Sequence, residues 1–322
     1  MRVLVTGATG FVMSVLVASL VRDGDEVTAV DVTEPDEVFF GLVGGRDRVR
    51  FHRGDVRDAS AMAGLVAAAR PDAVVHGATV THVPEWEPVD PVRYADVNIG
   101  GTVAVLDAAR KVPSVRRFVY VSSGAVYGVE PGEEPVPESG PPAPAELYGV
   151  TKLSAELLAG RFAALYDLEI PVVRFTKVFG PMERPTHARA LMSVPYHLAA
   201  AAVAGRPARV TPRSLEASAD WLSATDVAAA LTTLLHAPEA RSVPYNLATG
   251  VRTPLRDLAS WFGVDLETAP DAPIDLDPAA RHGKNAPYAV TRARSDLGWR
   301  PRPLQAQVAE YLTWAKDHPS IF

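Results

Sequence analysis

Tyr148 and Lys152, four residues apart, set a phenol and an ammonium one above the other on a single helical face. With nine tyrosines and five lysines in 322 residues, chance predicts roughly 0.14 such pairs. An accidental surface pair is the plain alternative. Against it stands Val121-Ser122-Ser123-Gly124-Ala125, an apolar run ending in two hydroxyls, with Ser123 lying 25 residues before Tyr148. Together these groups suit proton transfer coupled to hydride transfer. A phenol must drop about three pKa units, roughly 4 kcal/mol, to be half-ionised at neutral pH, and a neighbouring ammonium favours that ionisation. A serine hydroxyl orients the substrate oxygen while the phenolate takes its proton and hydride leaves carbon.

A hydride needs an acceptor, and the N-terminal segment offers a place for one. Thr6-Gly7-Ala8-Thr9-Gly10-Phe11-Val12-Met13 lies between an apolar run and a helix-forming stretch. There a glycine-rich turn lets backbone approach a pyrophosphate, and the helix start offers free N–H groups with partial positive charge. Asp31, 21 residues after Gly10, ends the second apolar run, where a carboxylate accepts hydrogen bonds from an adenosine ribose and repels a 2'-phosphate. NAD is favoured over NADP. The alternatives are a ligand-free tight turn and a solvated strand-end charge. Gly54-Asp55-Val56 offers one polar and one apolar contact for adenine. A third glycine, which would let helix and strand pack closely, is replaced by Met13. Methionine is flexible enough to fit an irregular gap, with a small effect on the cofactor expected; a shifted first helix and weaker NAD binding are the alternative.

The positioning elements alternate. Strands are expected at Val3-Leu4-Val5, Val27-Thr28-Ala29-Val30, Ala73-Val74-Val75, Phe118-Val119-Tyr120-Val121 and Pro171-Val172-Val173-Arg174, with helices over 11–21, 60–69, 101–110 and 148–166. The fold class is α/β, a doubly wound parallel sheet of the Rossmann type with a smaller C-terminal substrate lobe. The nucleotide-binding domain takes 1–176 plus 220–250, and the lobe 177–219 plus 251–322. Prolines crowd 131–144, which reads as a surface loop.

Composition narrows the classes. With 48% hydrophobic and 22% charged residues and a net charge of −6, the chain reads as globular, with no nucleic-acid partner expected. Without cysteine there is no thiol catalysis, disulfide scaffold or Cys-held metal, and no His or carboxylate spacing suggests another metal. No apolar run reaches the roughly 18 residues of a membrane span, so no membrane association and a cytoplasmic location are expected.

Over nearly its whole length the chain resembles the extended short-chain dehydrogenases/reductases of the NAD-dependent epimerase/dehydratase family. The matching pieces are Thr6-Gly7-x-x-Gly10, Asp31, Asp55-Val56, His76-Gly77-Ala78, Val97-Asn98-x-x-Gly101-Thr102, Ser122-Ser123, Tyr148-x-x-x-Lys152, Arg174-x-x-Lys177-Val178-Phe179-Gly180-Pro181, Tyr245-Asn246-Leu247 and Leu297-Gly298-Trp299-x-Pro301. The resemblance implies Ser123, Tyr148 and Lys152 as catalytic residues. It implies NAD held by Gly7, Gly10, Phe11, Val12, Asp31, Asp55, Val56, Ala78, Asn98, Val121, Phe175 and Val178 together with Tyr148 and Lys152. His82, Gly124, Ala125, Lys177, Arg189 and Arg281 are the substrate-side candidates. A homodimer built on the helices near 101–110 and 148–166 is also implied.

Two departures narrow the reaction. Dehydratases and decarboxylases of the family carry a glutamate two residues after the catalytic hydroxyl, where this chain has Ala125. Epimerisation through a transient ketone, or simple oxidoreduction, remains. The arginine that holds a substrate diphosphate in sugar-nucleotide enzymes is replaced by Ala219, ahead of Asp220-Trp221. The implied substrate is a sugar or sugar nucleotide; a smaller polyol, sugar acid or other carbonyl compound is the alternative, and a non-catalytic NAD-binding protein a third.

Overall fold

Continuous apolar runs demand strands covered on both faces, and they become the middle of one seven-stranded parallel sheet. The computed structural model describes residues 1–128, 134–238, 240–276 and 286–322. In chain order, β1 (Arg2–Thr6), α1 (Phe11–Arg22), β2 (Glu26–Asp31), α2 (Glu37–Val43), β3 (Arg50–Arg53) and α3 (Ala59–Ala69) build one wing. The other wing has β4 (Ala73–His76), α4 (Pro91–Tyr94), α5 (Thr102–Arg110), β5 (Arg117–Val121), α6 (Leu147–Leu165) and β6 (Val172–Phe175). The lobe begins with β7 (Lys177–Phe179), α7 (Val194–Val203), β8 (Ala208–Val210), β9 (Ser218–Ala219) and β10 (Trp221–Ser223). The chain then returns through α8 (Ala224–His236) to β11 (Pro244–Leu247), and continues as β12 (Thr253–Pro254), α9 (Leu255–Phe262), β13 (Leu266–Thr268), α10 (Thr291–Leu297) and α11 (Leu304–Asp317).

Across the sheet the order is β11-β6-β5-β4-β1-β2-β3. The direction of winding reverses between β1 and β4, which opens a crevice at their carboxyl ends, the place where sheets of this class bind ligands. One face is covered by α1, α2 and α8, whose Leu16, Leu20, Phe39, Leu231 and Leu234 are fully buried with Val5 and Val75. The other is covered by α3, α5 and α6 through Val66, Leu106, Ala155 and Ala159.

A third core, with Phe179, Leu198, Trp221, Leu258, Phe262 and Tyr311, belongs to the lobe. The two cores interleave along the chain. Trp221 packs into the lobe core while Leu222, the next residue on β10, packs into the sheet core. Residues 286–299, drawn with the lobe, send Tyr288, Val290, Ala293, Leu297 and Trp299 into the sheet core. The proline-rich segment is likewise more than a surface loop, because Val136 is buried and its backbone bonds Pro287 and Ala289.

Met13 packs against Gly77. Its side chain is buried, and a Cβ built on Gly77 would overlap Met13 Cγ and Sδ. The missing glycine is compensated from the neighbouring strand, since Gly77 directly follows β4 and leaves the space that Met13 fills.

Candidate active site

The crevice opens into a cleft of about 1180 Å³, larger than the pocket of a single drug-sized ligand, so a dinucleotide and a second molecule have room together. The turn after β1 forms one end. Gly7 has φ +69°, and a Cβ there would stand 2.7 Å from Ala78 N, so only glycine allows this turn to lie against the strand-end loop. The start of α1 carries no side-chain cap, whereas α2, α3, α7 and α8 are capped by Asp36, Asp58, Ser193 and Ser223. Phe11 and Val12 thus begin a helix whose first N–H groups no side chain satisfies, in the wall of the cleft. Asp31 is oriented by the backbone N–H groups of Thr9 and Thr33, each at 3.0 Å. The donor turn, the uncapped helix start and the strand-end carboxylate fit a dinucleotide with an unmodified ribose.

Val56, Ala78, Val121, Phe175 and Val178 line the same cleft. Asp55 lines it too, but its carboxylate is clasped by Arg57 through Nε at 3.0 Å and a terminal nitrogen at 2.6 Å, which lowers its pKa. An adenine amino group there would share the carboxylate with an arginine two residues on. Asn98 departs from expectation. It is buried behind the wall, accepting from Thr79 Oγ1 and Val80 N and donating to Val80 O and Thr151 Oγ1. Its amide is spent on fixing the loop after β4 against α6, not offered to the cleft.

The hydroxyl, phenol and ammonium converge on the cleft floor. Ser123 follows β5 and caps the short turn Gly124–Tyr127, accepting from Ala125 N at 3.1 Å. Tyr148, in the first turn of α6, lines the same floor, with Ser123 beside its phenol. Lys152, one turn on, is fully buried, donates to Val121 O at 2.9 Å and sits 5.9 Å from the Tyr148 ring centre. Burial pushes the Lys152 ammonium down to about 7, opposed by the negative charge of Glu156. Glu156 is fixed in turn by a bidentate pair with buried Arg174 and by the Ser122 hydroxyl. Burial pushes the Tyr148 phenol up, opposed by the neighbouring Ser123 hydroxyl and the positive charge of Arg189. The expected lowering of the phenol is not seen, because desolvation outweighs both.

On the substrate side, Gly124, Ala125, His82, Lys177 and Arg189 all line the cleft, and Arg281 lies outside the described residues. His82 Nδ1 lies 3.2 Å from Glu146 and 3.9 Å from Glu87. Lys177 lies 5.9 Å from the Trp221 ring centre. Two further arginines of the lobe are paired, Arg213 with Asp275 and Arg184, in the cleft lining, with Asp36.

Sequence reading missed Tyr288. Its hydroxyl end abuts Gly124, where any Cβ would overlap it, and its ring lies 5.3 Å from Tyr127. Its backbone N–H bonds the buried Asp220 carboxylate, which burial pushes up to about 6 and which Thr249 and Gly250 also engage. The bare Gly124 after Ser123 was the one available sign that something presses there. Among the described residues no cluster of His, Asp and Glu has the makings of a metal site, and no helix is long and apolar enough to cross a membrane.

The profile of the NAD dependent epimerase/dehydratase family matches residues 3–248. The chain is 31% identical over 309 residues to a UDP-glucose 4-epimerase of Mycolicibacterium smegmatis, covering 95% of this chain and 96% of that one. It is 30% identical over 333 residues to a dTDP-glucose 4,6-dehydratase of Streptomyces antibioticus, covering 99% and 93%. Among solved structures, the UDP-glucose 4-epimerase of Thermus thermophilus in complex with NAD superposes with a TM-score of 0.80 at 27% identity over 97% and 98% of the two chains. That of Stenotrophomonas maltophila, with NAD and a formylated UDP-arabinopyranose, gives 0.82 at 26% identity over 99% of each.

Proposed function

Since the chain belongs to the NAD dependent epimerase/dehydratase family, we propose that it inverts a secondary alcohol of a sugar or sugar-nucleotide-like substrate, with Ser123, Tyr148 and Lys152 as its catalytic residues. The protein is an NAD-dependent enzyme of the extended short-chain dehydrogenase/reductase type. The observation that carries the reading is that Ser123, Tyr148 and buried Lys152, its ammonium 5.9 Å from the Tyr148 ring centre, meet on the floor of a cleft whose other end is the Gly7–Gly10 turn.

When bound, NAD supplies the hydride acceptor. The rest is done by the chain. Ser123 Oγ orients the reacting oxygen, and the Tyr148 hydroxyl exchanges its proton with that oxygen. Lys152, anchored on Val121 O, places its charge below the phenol and favours the phenolate that burial opposes. Gly124 and Ala125 keep the adjoining wall small. Ala125 also bears on which relative is the better guide, because it cannot remove a proton from carbon; that supports epimerisation over 4,6-dehydration.

A dehydrogenase acting on a smaller polyol or sugar acid is the second reading, favoured by Ala219, which is fully buried and paired with Thr253 where a diphosphate-binding arginine was expected. UDP-glucose with the purified protein separates the two. Accumulation of the C4 epimer without net NADH is expected, and net NADH from a small polyol with no epimer would replace the first reading by the second. The enzyme acts as a homodimer through α5 and α6, an assignment supported by Val150, Leu157 and Leu165, 42%, 69% and 52% exposed along α6. Light scattering tests it, with a monomeric mass as the refuting result.

A further inference from the structure

Between β7 and α7 the lobe sends residues 180–193 back over the nucleotide half. This segment is tied down on both sides of the β1 turn. On the β2 side Arg184 pairs with Asp36, the cap of α2. On the β4 side Ala188 O accepts from Thr81 N at 3.1 Å and Thr81 Oγ1 at 2.8 Å, and His187 O accepts from Arg93 at 2.6 Å. Because β1 lies between β2 and β4 in the sheet, a segment anchored at both must cross the Gly7–Gly10 turn. It does so with Arg189, whose guanidinium carbon lies 5.2 Å from the ring centre of Phe11, the first residue of α1.

Arg189 is held, not draped. Glu183 is fully buried, accepts from Arg189, and is fixed by Ser193 N at 2.7 Å and Ser193 Oγ at 2.6 Å. The preceding Met182 is buried in the left-handed region at φ +68°, a conformation that persists only where its surroundings enforce it. Arg189 Nε is buried with no hydrogen-bond partner. An oriented guanidinium with an unspent donor, opposite an uncapped helix start, has the chemistry of a diphosphate site.

We propose that Arg189 binds the pyrophosphate of the dinucleotide from the lobe side, opposite the start of α1, and that the segment carrying it straps the cofactor into the cleft. This rests on the NAD-dependent reading above and adds a phosphate contact from outside the glycine turn. A diphosphate on the substrate shares the same chemistry, so the test must separate the two sources.

The full chain is titrated calorimetrically with NAD, ADP-ribose, adenosine and UDP, as wild type, Arg189→Lys and Arg189→Met/Glu183→Gln. The second change keeps the Ser193 contacts and leaves no unpaired buried carboxylate; the lysine keeps Glu183 paired but loses the planar fork. Expected are losses of about tenfold or more for NAD and ADP-ribose in the double variant, smaller losses in the lysine variant, and little change for adenosine. Unchanged NAD and ADP-ribose affinity in the folded lysine and double variants overturns the proposal, and a loss confined to UDP transfers Arg189 to the substrate. A wild type that binds no NAD refutes the functional reading itself, which is a different result.

Discussion

The contact between Met13 and Gly77 makes a quantitative prediction, because two residues 64 positions apart are claimed to share one volume. Gly77→Ala is free of backbone strain, since Gly77 is not among the glycines with positive φ. Its new Cβ collides with Met13 Cγ and Sδ and approaches Thr6 O to 3.2 Å. Overpacking of this kind costs about 1–3 kcal/mol. Met13→Ala removes the atoms that collide and opens a cavity beside the sheet, at about 2–5 kcal/mol. In the double variant the alanine at 77 occupies part of that cavity, so the pair should cost less than the sum of the singles by at least about 1 kcal/mol. Urea unfolding monitored at constant m supplies all four corners of the cycle. Additivity within about 0.5 kcal/mol would show that the residues do not compete for space and would refute the compensation argument. NAD affinity should move less than about tenfold in Met13→Ala, because Gly7 and Gly10, which shape the turn, are untouched.

Tyr148→Phe should fold normally and lose about 100-fold or more in turnover, as removal of a proton-transfer group does; a folded variant with full activity removes Tyr148 from the mechanism. Asp31 should make NAD bind more tightly than NADP in calorimetry, and equal or tighter NADP binding would contradict its assignment to the ribose. His76 is buried between Thr6 Oγ1 and Thr102 Oγ1 at 2.8 and 3.0 Å, and burial pushes it down to about 3. The unfolded chain takes up this proton below about 6.5 and the folded one only below about 3, so stability should fall as pH drops through that window, by up to about 1.4 kcal/mol per unit. Unfolding titrations of wild type and His76→Asn should diverge in slope there, and parallel slopes would show that His76 titrates normally when folded.

The elements that sequence located are those whose signal is local. β1, β2, β4, β5 and β6 are buried apolar runs bounded by glycine or charge, and the groups placed on their ends follow from them. Arg50-Phe51-His52-Arg53 left no such trace, because an edge strand with mostly exposed side chains has no pattern to read. Lys177–Phe179 and Trp221–Ser223 are three residues each and become strands only by pairing with one another, 44 positions apart. Ser123, Tyr148 and Lys152 were legible because a strand end and one helical turn suffice to bring them together. Asn98 is the opposite case, since its residue type announces a polar contact but not on which side of the wall the contact is made.

What remained hidden was set by sheet order. Met13 reads as a defect in the glycine turn until β4 is known to lie beside β1, at which point Gly77 supplies the missing space. Arg189 reads as one substrate-side candidate among several until the loops after β2 and β4 are known to flank the same turn. Tyr288 reaches Gly124 from 164 residues away through the Asp220 carboxylate, and no spacing rule spans that distance. In each case a side chain answers a feature on a neighbouring strand or loop, so the match belongs to the topology. A departure from a local motif is therefore best judged against what the adjacent strand presents: Gly77→Ala, 64 positions from Met13 in sequence, should disturb the start of α1 more than Met13 itself does.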